Sequence, residues 1–286
     1  MPQTLNTNLI SLNAQRNLGS SQASLATSMQ RLSSGMRVNS AKDDSAGLAI
    51  AERMNAQIKG MSVAVRNAND GISLTQTAEG ALGKVGDMLQ RMRELAVQAV
   101  NSTNSTGDRD SLNNEYQQLA SESARTLGGT QFNGQSILAN TTASVFQVGA
   151  NTSSTLDQIS VAGVDWTTVG AITTAIGAAV GTAPTTAVAG TDGSFATAAI
   201  TALDAAITAV NDRRATFGAV QNRFDNVVSN LMVNVENQTA ARSRIMDADY
   251  ASETASLSRA SILQQAGNAM VAQANQLPQQ VLALLR

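Results

Sequence analysis

Residues 5–36 read LNTNLISLNAQRNLGSSQASLATSMQRLSSGM. Within them Leu5, Leu9, Leu12, Leu18, Leu25, Met29, Leu32 and Met36 follow gaps of three, four and seven, which is heptad spacing with one phase slip between Leu12 and Leu18. The spacing predicts a helix over 5–38, roughly 50 Å long. Such a helix is weak alone. Residues 1–42 hold sixteen Ser, Thr and Asn residues, each about 0.5 kcal/mol worse than Ala in a helix, and Gly19 and Gly35 cost about 1 kcal/mol apiece. Isolated helices are marginal even with better residues. The apolar stripe therefore requires a partner, in an ordinary helix bundle or in an assembly.

The other end of the chain repeats the pattern. In residues 248–286, Leu263, Ala266, Met270, Ala274, Leu277, Val281 and Leu284 recur at gaps of three and four, and Pro278 is expected to interrupt the helix near its end. Residues 1–42 carry four basic residues and no carboxylate, and residues 254–286 carry only Arg259 and Arg286. Two nearly uncharged amphipathic arms at opposite ends of one chain suit a polymer subunit better than a monomer. The candidate self-assembly residues are Leu5, Leu9, Leu12, Leu25, Met29, Leu32, Leu263, Met270, Leu277, Val281 and Leu284.

Between the arms the period changes several times. Residues 39–44 offer N-cap candidates for a short helix ending near Gly60. Residues 61–100 give the strongest helical stripe, through Ile72, Leu82, Val85, Leu89, Met92, Leu95 and Ala99, with Gly71 tolerated inside it. Asp108 or Asp110 caps a further helix whose face is Leu112, Tyr116, Leu119 and Leu127. Phe132-Asn133-Gly134-Gln135 is a turn signal, and Ser144–Gly149 and Asp157–Val161 read as short strands. Residues 162–197, rich in Ala, Thr and Gly with only two charges, have little to bury and are expected to form a surface excursion or a small variable module. The helical period resumes near Phe195 and runs to about residue 240.

The expected fold is mainly α: an elongated rod of long helices with a terminal coiled coil made by both chain ends and a small β-hairpin region. Its expected parts are 1–43 with 245–286 (terminal coiled coil), 44–161 with 198–244 (helical rod with the hairpin) and 162–197 (variable surface piece).

Composition narrows the function. Aromatics are 3% and charged residues 14%, the latter against roughly 25% in ordinary soluble domains. A net charge of −2 gives no basic field for nucleic acid. Cys and His are absent, which removes disulfides, thiolate nucleophiles, imidazole bases and Cys/His metal sites. The pairs Asp43-Asp44 and Asp247/Asp249 are carboxylate groupings that could suggest acid–base or metal chemistry, and caps or surface pairs account for them. No catalytic residue, metal or cofactor is expected. Neither a signal peptide nor a membrane span is read in the sequence.

Several long runs resemble bacterial flagellin. They are RLSSGMRVNSAKDDSAGLAI (31–50), LQRMRELAVQAVNSTN (89–104), RSRIMDADY (242–250) and ILQQAGNAMVAQANQLPQQVLALLR (262–286). The resemblance covers about residues 1–140 and 200–286, while 162–197 resembles nothing in particular and stands where that family varies. It implies a homo-polymer, the helical flagellar filament used for swimming. It also implies unfolded export by the flagellar type III route, an export chaperone on the carboxy-terminal arm, a filament cap, hook–filament junction proteins as neighbours, and an extracellular product. A hook–filament junction protein is the alternative within the same class. The resemblance further implies contact with a vertebrate Toll-like receptor through Arg91, Leu95 and Glu115, with Gln90 beside them. Arg91 and Leu95 are four residues apart and are expected to share one face.

Overall fold

The computed structural model describes residues 7–176, Val188 and residues 194–284, with side chains omitted for 194, 195 and 277–284. Leu5 and most of 177–193 lie outside the described residues, as do the side chains of Leu277, Val281 and Leu284. The fold is mainly α. Its helices are α1 (Leu9–Ser34), α2 (Ser45–Val100), α3 (Thr106–Gly129), α4 (Gly170–Ile176), α5 (Ser194–Met246) and α6 (Tyr250–Leu284). The strands are β1 (Gln131–Phe132), β2 (Gln135–Ser136), β3 (Ala139–Asn140), β4 (Ser144–Gln147), β5 (Gln158–Val161) and β6 (Val164–Asp165). They form three antiparallel pairs, β1–β2, β3–β6 and β4–β5. The chain divides into two compact units, residues 1–58 with 236–286 and residues 59–235.

In the second unit, α2, α3 and α5 bury one continuous core. Leu82, Val85, Leu89, Met92 and Leu95 of α2, Tyr116 and Leu127 of α3, and Leu203, Val210 and Phe224 of α5 are all shielded from solvent. Arg109 closes one end of this core. Its guanidinium is buried, and it donates to the Ala99 carbonyl at 3.0 Å and the Asn101 carbonyl at 3.3 Å. A cation thus sits on the last carbonyls of α2, where the helix dipole favours it. The cap of α3 is Ser105 rather than Asp108 or Asp110. Ser105 accepts from the Asp108 N–H, and the Asp108 carboxylate accepts from the Ser105 N–H at 2.9 Å, forming a capping box.

Two expectations are corrected here, and a third is narrowed for its described residues. No short helix ends at Gly60, because α2 runs unbroken from Ser45 to Val100. Gly60 instead admits a close neighbour: a Cβ there would stand 2.9 Å from the Ala150 Cβ. The segment from 162 is not simply a surface excursion. Trp166 and the α4 residues Ile172, Ala175 and Ile176 are buried, and the Tyr116 hydroxyl donates to the Ala175 carbonyl at 2.9 Å. A few large residues in a bland stretch suffice to dock it. Finally, α6 continues past Pro278 to Leu284.

The β region matches its turn chemistry. Asn133 and Gly134 have φ of 50° and 77°, the two left-handed positions that a two-residue type I′ hairpin demands, and they join β1 to β2. In β4–β5, Ile159 and Val161 point inward. Phe146 of β4 meets Phe224 edge-to-face, with centroids 5.6 Å apart and planes at 88°. Phe224 in turn lies against the α2 backbone at Gly71, where a Cβ would come within 2.6 Å of the ring tip. Gly71 is therefore a seat for an aromatic ring that has no room to withdraw.

Two glycines of α2 should respond in opposite ways to alanine. Gly80 has nothing within 4 Å of a Cβ, so Gly80→Ala should stabilise by up to about 1 kcal/mol. Gly71→Ala overpacks the Phe224 seat, costing about 1–3 kcal/mol, and should unfold at lower temperature than the parent. Thermal melts of the two variants check this; a raised melting temperature for Gly71→Ala would refute the seat.

Candidate functional site

The first unit is built on the antiparallel pairing of α1 with α6. Asn8 accepts from the Ser11 N–H to cap α1, while its amide donates to the Ala274 carbonyl at 2.7 Å. The Ser11 hydroxyl donates to Asn275 Oδ1 at 2.7 Å. At the other end the Tyr250 hydroxyl donates to the Leu32 carbonyl at 3.1 Å, and Arg31 lies 3.8 Å from the Glu253 carboxylate.

Between these pins the pairing is apolar and close. The α1 positions withdrawn from solvent are Ser11, Ala14, Leu18, Ser21, Leu25, Ser28, Arg31 and Leu32. On α6 the withdrawn positions include Glu253, Leu257, Ala260, Gln264, Gly267, Val271 and Ala274. Both sets advance by three and four residues, the spacing of a two-helix seam. On α1, leucines at 18, 25 and 32 alternate with small residues at 14, 21 and 28. On α6, Ala260, Gly267 and Ala274 supply the complementary gaps. A Cβ on Gly267 would stand 3.1 Å from Leu18 Cδ1, so the leucine occupies the space that the glycine leaves. Large-to-small interdigitation fills such a layer without voids.

A second set of large apolar residues on the arms faces away from the seam. Leu9, Leu12 and Met29 of α1 are 68%, 51% and 58% exposed, and Leu263 and Met270 of α6 are 50% and 61% exposed. Ile10 and Ile262, which the stripe reading passed over, are exposed as well. The structure thus splits the expected α1 stripe. Leu25 and Leu32 turn toward α6, while Leu9, Leu12 and Met29 do not. On α6, Leu263, Ala266 and Met270 lie on the surface, and the inward face is carried by Leu257, Val271 and the smaller or amide side chains of Ala260, Gln264, Gly267 and Ala274.

The segments that join these arms to α2 and α5 are fixed by backbone pairing. Met36 and Asp247 form an antiparallel bridge. Arg37 N donates to the Met246 carbonyl at 2.6 Å, and Ala248 N donates to the Gly35 carbonyl at 2.9 Å. Gly35, with φ of 72°, ends α1 in the left-handed conformation, which is why the helix stops at Ser34 and not near residue 38. Val38, Ala51 and Met246 form a small core beneath. The carboxylate pairs do structural work. Asp44 accepts from the Gly47 N–H at 2.7 Å at the start of α2, and Asp249 accepts from the Ala251 N–H at 3.0 Å at the start of α6. Asp43 is held below its usual carboxylate range by the Ser40 hydroxyl and by the Ser40 and Asn39 N–H groups.

Elsewhere, Gln90, Arg91 and Glu115 are exposed on α2 and α3. The Arg91 guanidinium bonds Glu94 at 2.9 Å and Glu115 at 3.0 Å, and both carboxylates raise its pKa. Leu95 is 1% exposed, part of the core, so it shares no surface patch with Arg91. The four-residue spacing was compatible with one face, but Leu95 follows the inward stripe. No helix among the described residues is long and apolar enough to cross a membrane.

Comparison with known proteins agrees with this architecture. The family model described as the bacterial flagellin N-terminal helical region matches residues 5–143, and that of the C-terminal helical region matches residues 200–285. The chain is 48% identical over 283 residues to a flagellin of Halalkalibacterium halodurans, covering 99% of both chains. It is 41% identical over 313 residues to a flagellin of Bacillus subtilis, again covering 99% of both. The solved structure of a putative flagellar hook-associated protein from Vibrio parahaemolyticus aligns with a TM-score of 0.57 over 72% of this chain and 100% of that one, at 13% identity, a likeness of fold alone. Two family models that together span all but the middle of the chain, and relatives alike from end to end, place it without ambiguity: this chain belongs to the bacterial flagellin family.

Proposed function

We propose that this chain polymerises into the flagellar filament through the outward apolar surface of α1 and α6. The protein is a structural subunit, and the filament is the extracellular part of the flagellum. The observation that carries the mechanism is the exposure of Leu9, Leu12, Met29, Leu263 and Met270 on a helix pair whose mutual seam is already filled. Each such side chain gains about 1.5–3 kcal/mol on full burial, and neighbouring copies, which repeat the same surface, can supply it along both arms. A heterologous contact that does not close into a ring makes an open helical polymer. Leu5, Leu25, Leu32, Leu277, Val281 and Leu284 belong to the same proposed core, with Leu25 and Leu32 holding the two arms together. The parts proposed for it are 1–43 with 245–286 as the filament core, 44–161 with 198–244 as the rod and 162–197 as the variable outer piece. The hook–filament junction alternative is set aside by the end-to-end identity with flagellins.

Charge favours the same division. Residues 1–58 with 236–286 hold nine basic and seven acidic side chains, net +2, whereas residues 59–235 hold ten and fourteen, net −4. Side-by-side copies of the acidic unit repel one another, and salt screens that repulsion within a Debye length of about 10 Å at 0.1 M.

Unfolded type III export, a chaperone on the carboxy-terminal arm, a distal cap and junction proteins at the base are the partners that membership of this family suggests. The exposed Gln90, Arg91 and Glu115 are the proposed contacts for a vertebrate Toll-like receptor, with Leu95 supporting them from the core. Arg91→Ala should cut receptor-reporter signalling at least about tenfold, since a charge-assisted contact at an interface centre commonly contributes 2 kcal/mol or more; an unchanged dose response would remove this assignment.

Assembly is tested directly. Removing residues 254–286 should leave a soluble, helical chain that forms no filaments, read by sedimentation and electron microscopy. The double change Leu263→Asp with Met270→Asp should do the same without altering the circular dichroism of the free subunit. Raising sodium chloride from about 0.05 to about 0.5 M should lower the critical concentration of the intact chain about threefold or more. Filaments from either variant would refute the proposed surface.

A further inference from the structure

The methionines differ widely in exposure. Met61, Met92 and Met246 are buried. Met36, Met54 and Met88 are half-buried. Met29, Met232 and Met270 are 58%, 59% and 61% exposed. Of the three exposed thioethers among the described residues, Met29 on α1 and Met270 on α6 lie on the arm surface that carries the assembly reading, and the third lies on α5 in the other unit. The chain has no cysteine to intercept an oxidant first. Soft, unbranched thioethers suit a contact surface that must adapt to neighbours, but they are also where two-electron oxidants react.

We propose that Met29 and Met270 are oxidation sites through which a peroxide-class oxidant withdraws the free subunit from polymerisation; this rests on the assembly reading above. The sulfur lone pair attacks one oxygen of hydrogen peroxide. An S–O bond forms, the O–O bond breaks, and the departing hydroxide takes up the proton of the transferred oxygen to leave as water. Sulfur is oxidised by two electrons and peroxide is reduced by two. The sulfoxide is a strong acceptor where a thioether was nearly apolar. Covered by the Leu and Ile side chains of another copy, its oxygen has no donor, and burying an unpaired polar group is costly. In the free subunit the same oxygen stays in water, so folding is left intact. Once covered in a filament, the two sulfurs are shielded, so the reaction selects subunits that have not yet joined. A methionine sulfoxide reductase with a thiol reductant returns the thioether and reverses the block.

The experiment treats the free full-length chain with hydrogen peroxide, maps the gain of one oxygen atom by peptide mass spectrometry, and measures the critical concentration for filament growth. Met29 and Met270 should be modified well before Met61, Met92 and Met246. The critical concentration should rise about tenfold or more, as two uncompensated polar groups imply. Measured against its own untreated sample, the double variant Met29→Leu with Met270→Leu should show no rise in critical concentration on peroxide treatment, whereas Met232→Leu should show the parent's rise. Oxidised subunits that assemble at the parent's concentration, or a double variant that remains sensitive, would overturn the inference. Untreated protein that forms no filaments would overturn the assembly reading, and this inference with it.

Discussion

The seam between α1 and α6 sets the terms for the rest of the molecule. It is filled by Leu18, Leu25 and Leu32 set against the Ala260, Gly267 and Ala274 face, so the two helices approach closely while burying little area per layer. Small residues contribute packing but little hydrophobic transfer, at about 25 cal/mol per Å² removed from water. The arms therefore pair in a definite register, fixed by Asn8, Ser11, Tyr250 and Arg31 at their ends, without satisfying their own apolar content. Had Leu9, Leu12, Met29, Leu263 and Met270 also faced inward, the pair would be a self-contained hairpin with little to offer a neighbour. The distribution of volume around each helix, more than the total hydrophobicity, makes the unit an assembly part.

The second unit follows the opposite rule. There α2 turns Leu82, Leu89, Met92 and Leu95 inward, and α3 and α5 answer with Tyr116, Leu127, Leu203 and Phe224. Two polar groups that enter it are paired: Arg109 on the α2 carbonyls, and the Thr75 hydroxyl on the Gly71 and Ile72 carbonyls. Surface ion pairs such as Arg93–Asp204 at 2.6 Å join α2 to α5 but contribute little each in water. This unit carries its own core, and the arms are free to be specialised for contact.

Much of this could be read from the residues, and the failures have physical reasons. The long helices, the Asn133-Gly134 turn and the β4–β5 strands are written in local period and turn chemistry. The runs at 31–50 and 262–286 carry the resemblance to the flagellin family in the sequence itself. The seam was misread because a stripe is sought among large apolar residues, and on α6 the inward face is Ala260, Gln264, Gly267 and Val271. Helical period is unchanged whichever face is chosen; only the partner decides it. Gly60 and Gly71 were read as a break and a tolerated cost because a glycine's reason lies in Ala150 and Phe224, 90 and 153 positions along the chain. The burial of Trp166 and Ile172 inside a bland stretch is hidden for the same reason, since Trp166 follows a strand paired with β3 and α4 docks on α3. Leu95 looked shared between core and surface because four-residue spacing to Arg91 constrains angle only loosely.

Charge placement completes the argument for a polymer. Arg31 and Glu253 form the ion pair near the linker end of the seam, and beyond them toward the chain ends the arms hold only Arg16, Arg259 and Arg286 as charged side chains. Arg16 and Arg259 are exposed. An ionised group taken out of water costs several kcal/mol unless it is paired, so an interface that repeats identically around many copies multiplies each misplaced charge by the number of copies. A lone carboxylate in the arms would meet its own image in every neighbour. Amides and hydroxyls carry no such penalty, because Ser and Thr can turn inward to their own helix, as Ser21, Ser24 and Thr27 do by donating to the carbonyls four residues before them. That substitution of hydroxyls for charges weakens each arm as an isolated helix and makes it compatible with burial among copies. The same choice that leaves the arms poor at standing alone is what lets them stand together.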